Sequence, residues 1–172
     1  MDTFAILSSG SSGNSLFVEY KGTKILIDAG FSAKRIEYLL GEIGKSPKEL
    51  DAIFVTHEHA DHSKGLGTMS RKHNLPIYAN NGTWQSLVNN CGKIKEENIK
   101  VFETGKFLSF GSMDILPIKI HHDAKEPVGY VLYLGNKKIT ILTDTGIVDE
   151  KMAYEIKGSD IYYMEANHDL EA

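Results

Sequence analysis

The sequence predicts an α/β fold in which two stacked β-sheets are covered by helices. Short apolar runs of strand length recur along the chain, punctuated by glycine and polar turns. Between them lie segments whose apolar residues repeat at helical spacing. Antiparallel hairpins mixed with helices argue for stacked sheets rather than one doubly wound parallel sheet. The composition, 41% hydrophobic and 24% charged, is that of an ordinary globular chain and excludes collagen-like, disordered and coiled-coil classes. No linker, low-complexity run or repeat interrupts the 172 residues, so residues 1–172 are expected to form a single domain large enough to bury a core.

The elements follow in order. Phe4 to Leu7 reads as a strand, and Ser8 to Ser15 as a Ser/Gly loop containing Asn14. Leu16 to Tyr20 and Lys24 to Ile27 read as a hairpin turning near Lys21-Gly22. Ser32 to Leu40 has helical period, with Ser32 as the N-cap. Ala52 to Val55 is a short buried strand, His62 to His73 one helix, and Pro76 to Ala79 another strand. Gly82 to Val88 is helical. Strands follow at Ile99 to Phe102, Met113 to Ile120, Val128 to Leu134 and Lys138 to Leu142. A helix over Val148 to Ile156 and a strand over Ile161 to Met164 complete the pattern.

The 19 basic and 23 acidic residues give a formal net charge of -4, so the chain as a whole does not attract nucleic acid or anionic membrane. A nucleic-acid substrate would need a local patch or bound metal. The single cysteine, Cys91, cannot form an internal disulfide and reads as a small buried hydrophobe. The N-terminus has no basic segment followed by an apolar one, and no apolar run approaches membrane-spanning length. A soluble cytoplasmic protein is expected.

The seven histidines are clustered, three of them in Thr56-His57-Glu58-His59-Ala60-Asp61-His62 and two at His121-His122. The first cluster follows the apolar run Ala52-Ile53-Phe54-Val55, so its side chains emerge at the lip of a sheet. His57 and His59, two apart in extended chain, point to one side. Asp61 and His62 fall in the following helical turn and swing toward a neighbouring point. That arrangement suits two metals side by side, one on His57/His59 and one on Asp61/His62. Imidazole and carboxylate are ligands that zinc, manganese and iron accept, at about 2.0–2.2 Å for zinc.

His-x-His-x-Asp-His after a strand resembles the metal signature of the metallo-β-lactamase superfamily. Ile25-Leu26-Ile27-Asp28-Ala29-Gly30 resembles that superfamily's strand ending in Asp-x-Gly, and Thr143-Asp144-Thr145-Gly146 the segment whose Asp bridges both metals. Ser8 to Ser15, His122-Asp123-Ala124 with Pro127 to Tyr130, and Glu165-Ala166-Asn167-His168-Asp169 are similar to one bacterial branch, the YycJ (WalJ)-like proteins. The resemblance implies an αββα sandwich of two facing mixed sheets flanked by helices. It implies metal ligands His57, His59, Asp61, His62, His122 and Asp144, with His122 preferred over His121. Asp28 is expected to orient a ligand by hydrogen bonding. The family pattern continues to a later histidine-bearing segment, so the last C-terminal elements are expected to be lacking here, with His168 the candidate substitute ligand.

Two divalent ions, zinc or manganese with iron as the further option, are implied at about 3.5–4 Å separation. They would activate a water for hydrolysis, and Asp61 is placed to hold its remaining proton. The branch resemblance points to a phosphodiesterase or nuclease acting on nucleic acid. A thioester, carbonyl-ester or lactone hydrolase of the same fold stays open, as does a metal-bound regulatory module with little catalysis. The Ser8–Ser15 loop reads as a tight turn ahead of a phosphate cradle, because no lysine follows its glycines. His73 reads as a solvated or capping residue at a helix end.

Overall fold

The computed structural model describes residues 2–165. Its first sheet has six strands in the order β1 (Thr3–Ser8), β2 (Ser15–Tyr20), β3 (Thr23–Ile27), β4 (Ala52–Phe54), β5 (Ile77–Ala79) and β6 (Ile99–Val101). The second has five, ordered β11 (Ile161–Glu165), β10 (Lys137–Thr143), β9 (Val128–Leu134), β8 (Met113–Lys119) and β7 (Leu108–Phe110). Both are mixed. β1–β2–β3 are antiparallel and β3–β4–β5–β6 parallel. β7 to β10 are antiparallel, with β11 parallel to β10.

Alternation along each strand divides the apolar residues into layers. Leu16, Val18, Ile25, Ile27, Ala52 and Phe54 point inward and meet Met113, Ile115, Tyr130, Leu132, Ile139 and Ile141 of the other sheet. On the opposite face of the first sheet, Phe17, Leu26, Ile53 and Ile77 pack under helices α1 (Ala33–Glu42), α3 (Leu66–His73) and α4 (Asn81–Leu87) through Ile36, Leu40, Met69, Trp84 and Leu87. On the outer face of the second sheet, Leu116, Ile118, Val131 and Leu142 receive Met152 and Ile156 of α5 (Glu150–Ile156). Because β2, β3 and β4 are covered on both faces, they read as continuous apolar runs. Each fully buried Leu or Ile contributes about 1.5–3 kcal/mol over the exposed state. Cys91 is buried in the layer under the helices.

Ser32 caps α1, its side chain accepting from the Arg35 N–H at 3.2 Å. The single helix expected from His62 to His73 is instead two, α2 (Ala60–Ser63) and α3. Gly65 separates them. Its N–H donates to the Ala29 carbonyl at 2.7 Å, and a Cβ there would lie 2.0 Å from the Phe31 oxygen. Helical periodicity does not report that close approach of a neighbouring loop. β7, three residues that turn at Gly111 (φ 56) into β8, was too short to stand out as a strand. His73 is also not solvated: its ring lies 2.7 Å from Glu37 on α1, with the side chain 10% exposed.

The two sheets are tied together at one lip. The Val128 N–H donates to the Thr56 carbonyl at 2.9 Å, and the buried Tyr130 hydroxyl donates to the Val55 carbonyl at 2.6 Å.

Candidate metal centre

Four loops deliver side chains to that lip. The chain after β4 carries His57, Glu58 and His59, and α2 follows at once with Asp61 and His62. His122 comes from the loop after β8, Asp144 from the end of β10, and Asp28 from the end of β3. Parallel pairing sets Ile27 against Phe54, and the Asp28 N–H donates to the Phe54 carbonyl at 2.8 Å, which brings Asp28 beside Thr56. Asp28 and Asp144 both take left-handed backbone (φ 68 and 56), which turns each carboxylate in at a strand end. Non-glycine residues rarely adopt that conformation, and it concentrates at functional sites.

All six residues expected as metal ligands converge. His57, His59 and His122 place one donor atom each within 4.8 Å of one another, and so do His57, Asp61 and His62. His57 therefore faces both groups, where the sequence reading placed it with His59 and His122 at the first metal. Its ring centroid lies 4.8 Å from that of His59, 4.6 Å from His122 and 4.1 Å from His62. Asp144 Oδ2 lies 2.7 Å from His62 Nε2 and 3.5 Å from His57 Nε2. His121 points away and pairs with Asp149 at 2.6 Å. His168 lies outside the described residues.

Asp28 is the hub beneath them. Its carboxylate accepts from the Thr56 N–H and the Thr56 hydroxyl, each at 2.7 Å, and from His62 Nδ1 at 2.6 Å. That last bond fixes the His62 ring with Nε2 turned toward Asp144 and Asp61. The Thr56 hydroxyl lies 3.0 Å from His57 Nδ1.

Asn14 also stands in the centre, and the sequence reading gave it no role. The residue is 4% exposed, and its Nδ2 lies 3.1 Å from His62 Nε2 and 3.3 Å from Asp61 Oδ2. Nothing in the spacing of the Ser/Gly loop signals this, because the contact spans 48 residues.

The donor set fits a divalent cation. Burial, reinforced by the charge of nearby His62, pushes His57 down to about 2, so its ring is neutral. The buried His57 Nε2 finds no hydrogen-bond partner among the described residues. A neutral buried imidazole nitrogen costs free energy unless something uses its lone pair or hydrogen. Burial also opposes charge on His62, but Asp28, hydrogen bonds with Asp144 and Asp28, and nearby Asp61 outweigh it and carry the pKa up to about 10. A ring nitrogen held 2.7 Å from a carboxylate oxygen needs a positive species between or beside them, a proton or a metal. His122 is lowered by burial, which keeps it neutral for ligation.

The comparisons with known proteins agree with the geometry. A family model described as a beta-lactamase superfamily domain matches residues 23–171. The chain belongs to the metallo-β-lactamase-fold superfamily. It is 45% identical over 170 residues to a protein named exodeoxyribonuclease WalJ from Streptococcus pneumoniae serotype 2, covering 98% of this chain and 63% of that protein. It is 40% identical to one named exodeoxyribonuclease YycJ from Bacillus anthracis, covering 98% and 64%. The chain thus spans somewhat under two thirds of the length of these relatives. Among solved structures, a metallo-beta-lactamase of Cronobacter sakazakii with the HARLDQ motif superposes with a TM-score of 0.71 at 14% identity, over 95% of this chain and 76% of that one. Rm3 metallo-beta-lactamase superposes at 0.66 with 18% identity, over 80% and 58%. At such identities these two speak for the fold alone.

Proposed function

We propose that the protein is a metal-dependent phosphodiesterase that degrades DNA, with its centre at the lip formed by His57, His59, Asp61, His62, His122 and Asp144. The observation that carries the reading is the convergence of four imidazoles and two carboxylates, with His57 common to both ligand groups. The names of the 45% and 40% identical relatives point to DNA as the substrate.

His57, His59 and His122 would hold one divalent cation, and Asp61, His62 and Asp144 a second. Bound there, such ions supply an acidified water and an acceptor for negative charge developing on a phosphoryl oxygen. The residues of the chain prepare that chemistry. Asp28 fixes the tautomer of His62 by accepting its Nδ1–H, leaving Nε2 as donor atom. Asp61, with 23% of its side chain exposed, is the carboxylate open to the reacting water and is placed to take a proton. Glu58 accepts the Lys125 N–H at 3.0 Å, which draws the segment after His122 toward the His57–His59 segment. A cytoplasmic setting suits the lone buried cysteine.

The test is a three-way assay of zinc- or manganese-loaded protein on single- and double-stranded DNA, a thioester and a lactone. Release of nucleotides from DNA, lost on adding chelator, is the expected outcome. Turnover of the thioester or lactone with intact DNA would replace this reading with the carbonyl-hydrolase one.

A further inference from the structure

The Ser/Gly loop between β1 and β2 reaches the Asp61 and His62 side chains through Asn14. Its backbone is already secured. The Asn14 N–H donates to the Asp61 carbonyl at 2.8 Å, and the Asn14 carbonyl accepts from the Gly30 N–H at 2.9 Å. Gly30 can come this close only because it has no Cβ, which would lie 1.9 Å from the Asp61 oxygen. The side chain is therefore surplus to anchoring the loop to α2. Its orientation is fixed from one side, because the Gly10 N–H donates to Oδ1 at 3.1 Å. Nδ2 then faces Gly10 O at 2.9 Å, Asp61 O at 3.1 Å, Asp61 Oδ2 at 3.3 Å and His62 Nε2 at 3.1 Å.

An amide NH2 has two hydrogens, and three oxygens face them: Gly10 O, Asp61 O and Asp61 Oδ2. His62 Nε2 is turned to Asp144 at 2.7 Å, so the amide hydrogens go to Gly10 and Asp61. We infer that Asn14 is a positioning residue of the metal centre, its amide holding the Asp61 carboxylate at the angle from which Asp61 and His62 grip one cation together. This rests on the metal-centre reading above. Asp61 needs such a partner because it sits in the first turn of a helix of four residues, with little else to fix its side chain. A carboxylate whose orientation is set beforehand loses less freedom on binding.

Cobalt(II) titration of the full chain tests it, read by the visible absorption of the bound ion and by the thermal midpoint. Asn14→Ala removes both side-chain functions. Asn14→Asp keeps an oxygen for the Gly10 N–H but offers no N–H to Asp61. In both variants the Asp61/His62 group is expected to bind cobalt at least ten-fold more weakly, with an altered spectrum. The His57/His59/His122 group is expected to keep its affinity in both. Wild-type affinity and spectrum in a folded Asn14→Asp protein would overturn the inference. So would loss of all cobalt binding together with the fold in both variants, which marks a purely structural residue. If Asn14→Ala alone unfolds, Asn14→Asp decides. Failure of the wild-type protein to bind cobalt through imidazole would overturn the metal-centre reading itself, a result separable from the others.

Discussion

At the scale of single residues, Asp28 carries more of the centre than its distance from the proposed cations suggests. It satisfies three buried donors at once: the Thr56 N–H, the Thr56 hydroxyl and His62 Nδ1. Asp28→Ala should therefore weaken metal binding by about 10–100-fold, as loss of a ligand's orienting partner does. It should also cost about 1–3 kcal/mol for each donor left without a partner. Chelator competition and chemical denaturation read the two effects separately, and wild-type metal affinity would contradict the assignment. The candidate metal ligands were legible because their types are rare and their spacing dense: His57, His59, Asp61 and His62 fall within one strand-to-helix turn. Asp28 was legible from its place after an apolar strand. Asn14 was not, since an asparagine in a Ser/Gly loop reads as a turn residue and its partners lie far along the chain.

At the scale of elements, α2 is wedged between neighbours and tolerates little added volume. Gly30→Ala would drive a methyl into the Asp61 carbonyl, so it should displace α2 and destabilise the protein by about 1–3 kcal/mol or more. Thermal denaturation and metal content should fall together. β2 is joined to the chain after α1 by the buried Glu19, whose carboxylate lies 2.7 Å from Lys45 and 3.8 Å from Lys24. Lys45 holds the Glu19 pKa below the usual carboxylate range against the opposing effect of burial. The folded pKa is depressed, so the stabilisation is present above the unfolded value near 4.3 and is lost as pH falls through the folded one. Glu19→Gln should thus lower stability by about 1 kcal/mol at pH 7. In a pH series of denaturation midpoints its gap to wild type should close in acid; a gap independent of pH would show that the pair contributes nothing. The strands and most helices were legible as apolar runs and caps. The break between α2 and α3 was not, because it is set by Phe31 and Ala29 of another loop pressing on Gly65. Nor was β7, whose pairing with β8 exceeds what its three residues announce.

At the scale of the whole molecule, net charge and proposed substrate oppose each other. A chain of formal charge -4 gains little from long-range attraction to DNA, so its hold on phosphates must be local. Turnover of DNA should still fall steeply as salt rises from about 50 to 200 mM, because every phosphate contact releases counterions. Kinetics across a salt series read this, and a flat response would favour an uncharged substrate. The sandwich itself was legible from hairpins alternating with helices, but how its two sheets face each other was supplied by resemblance, since no local pattern encodes which layers meet.

The four ligand residues after β4 belong to the first sheet, whereas His122 and Asp144 belong to the second. His59 meets His122 across 63 residues of chain, and His62 meets Asp144 across 82. A cation gripped by both sides would therefore be a cross-link. It would close loops as long as those of a stabilising disulfide, and like a disulfide it would act by restricting the unfolded chain. The sandwich would be stapled shut at the lip that carries the proposed centre, and stripping the ion should loosen the seam between the sheets before either sheet comes apart.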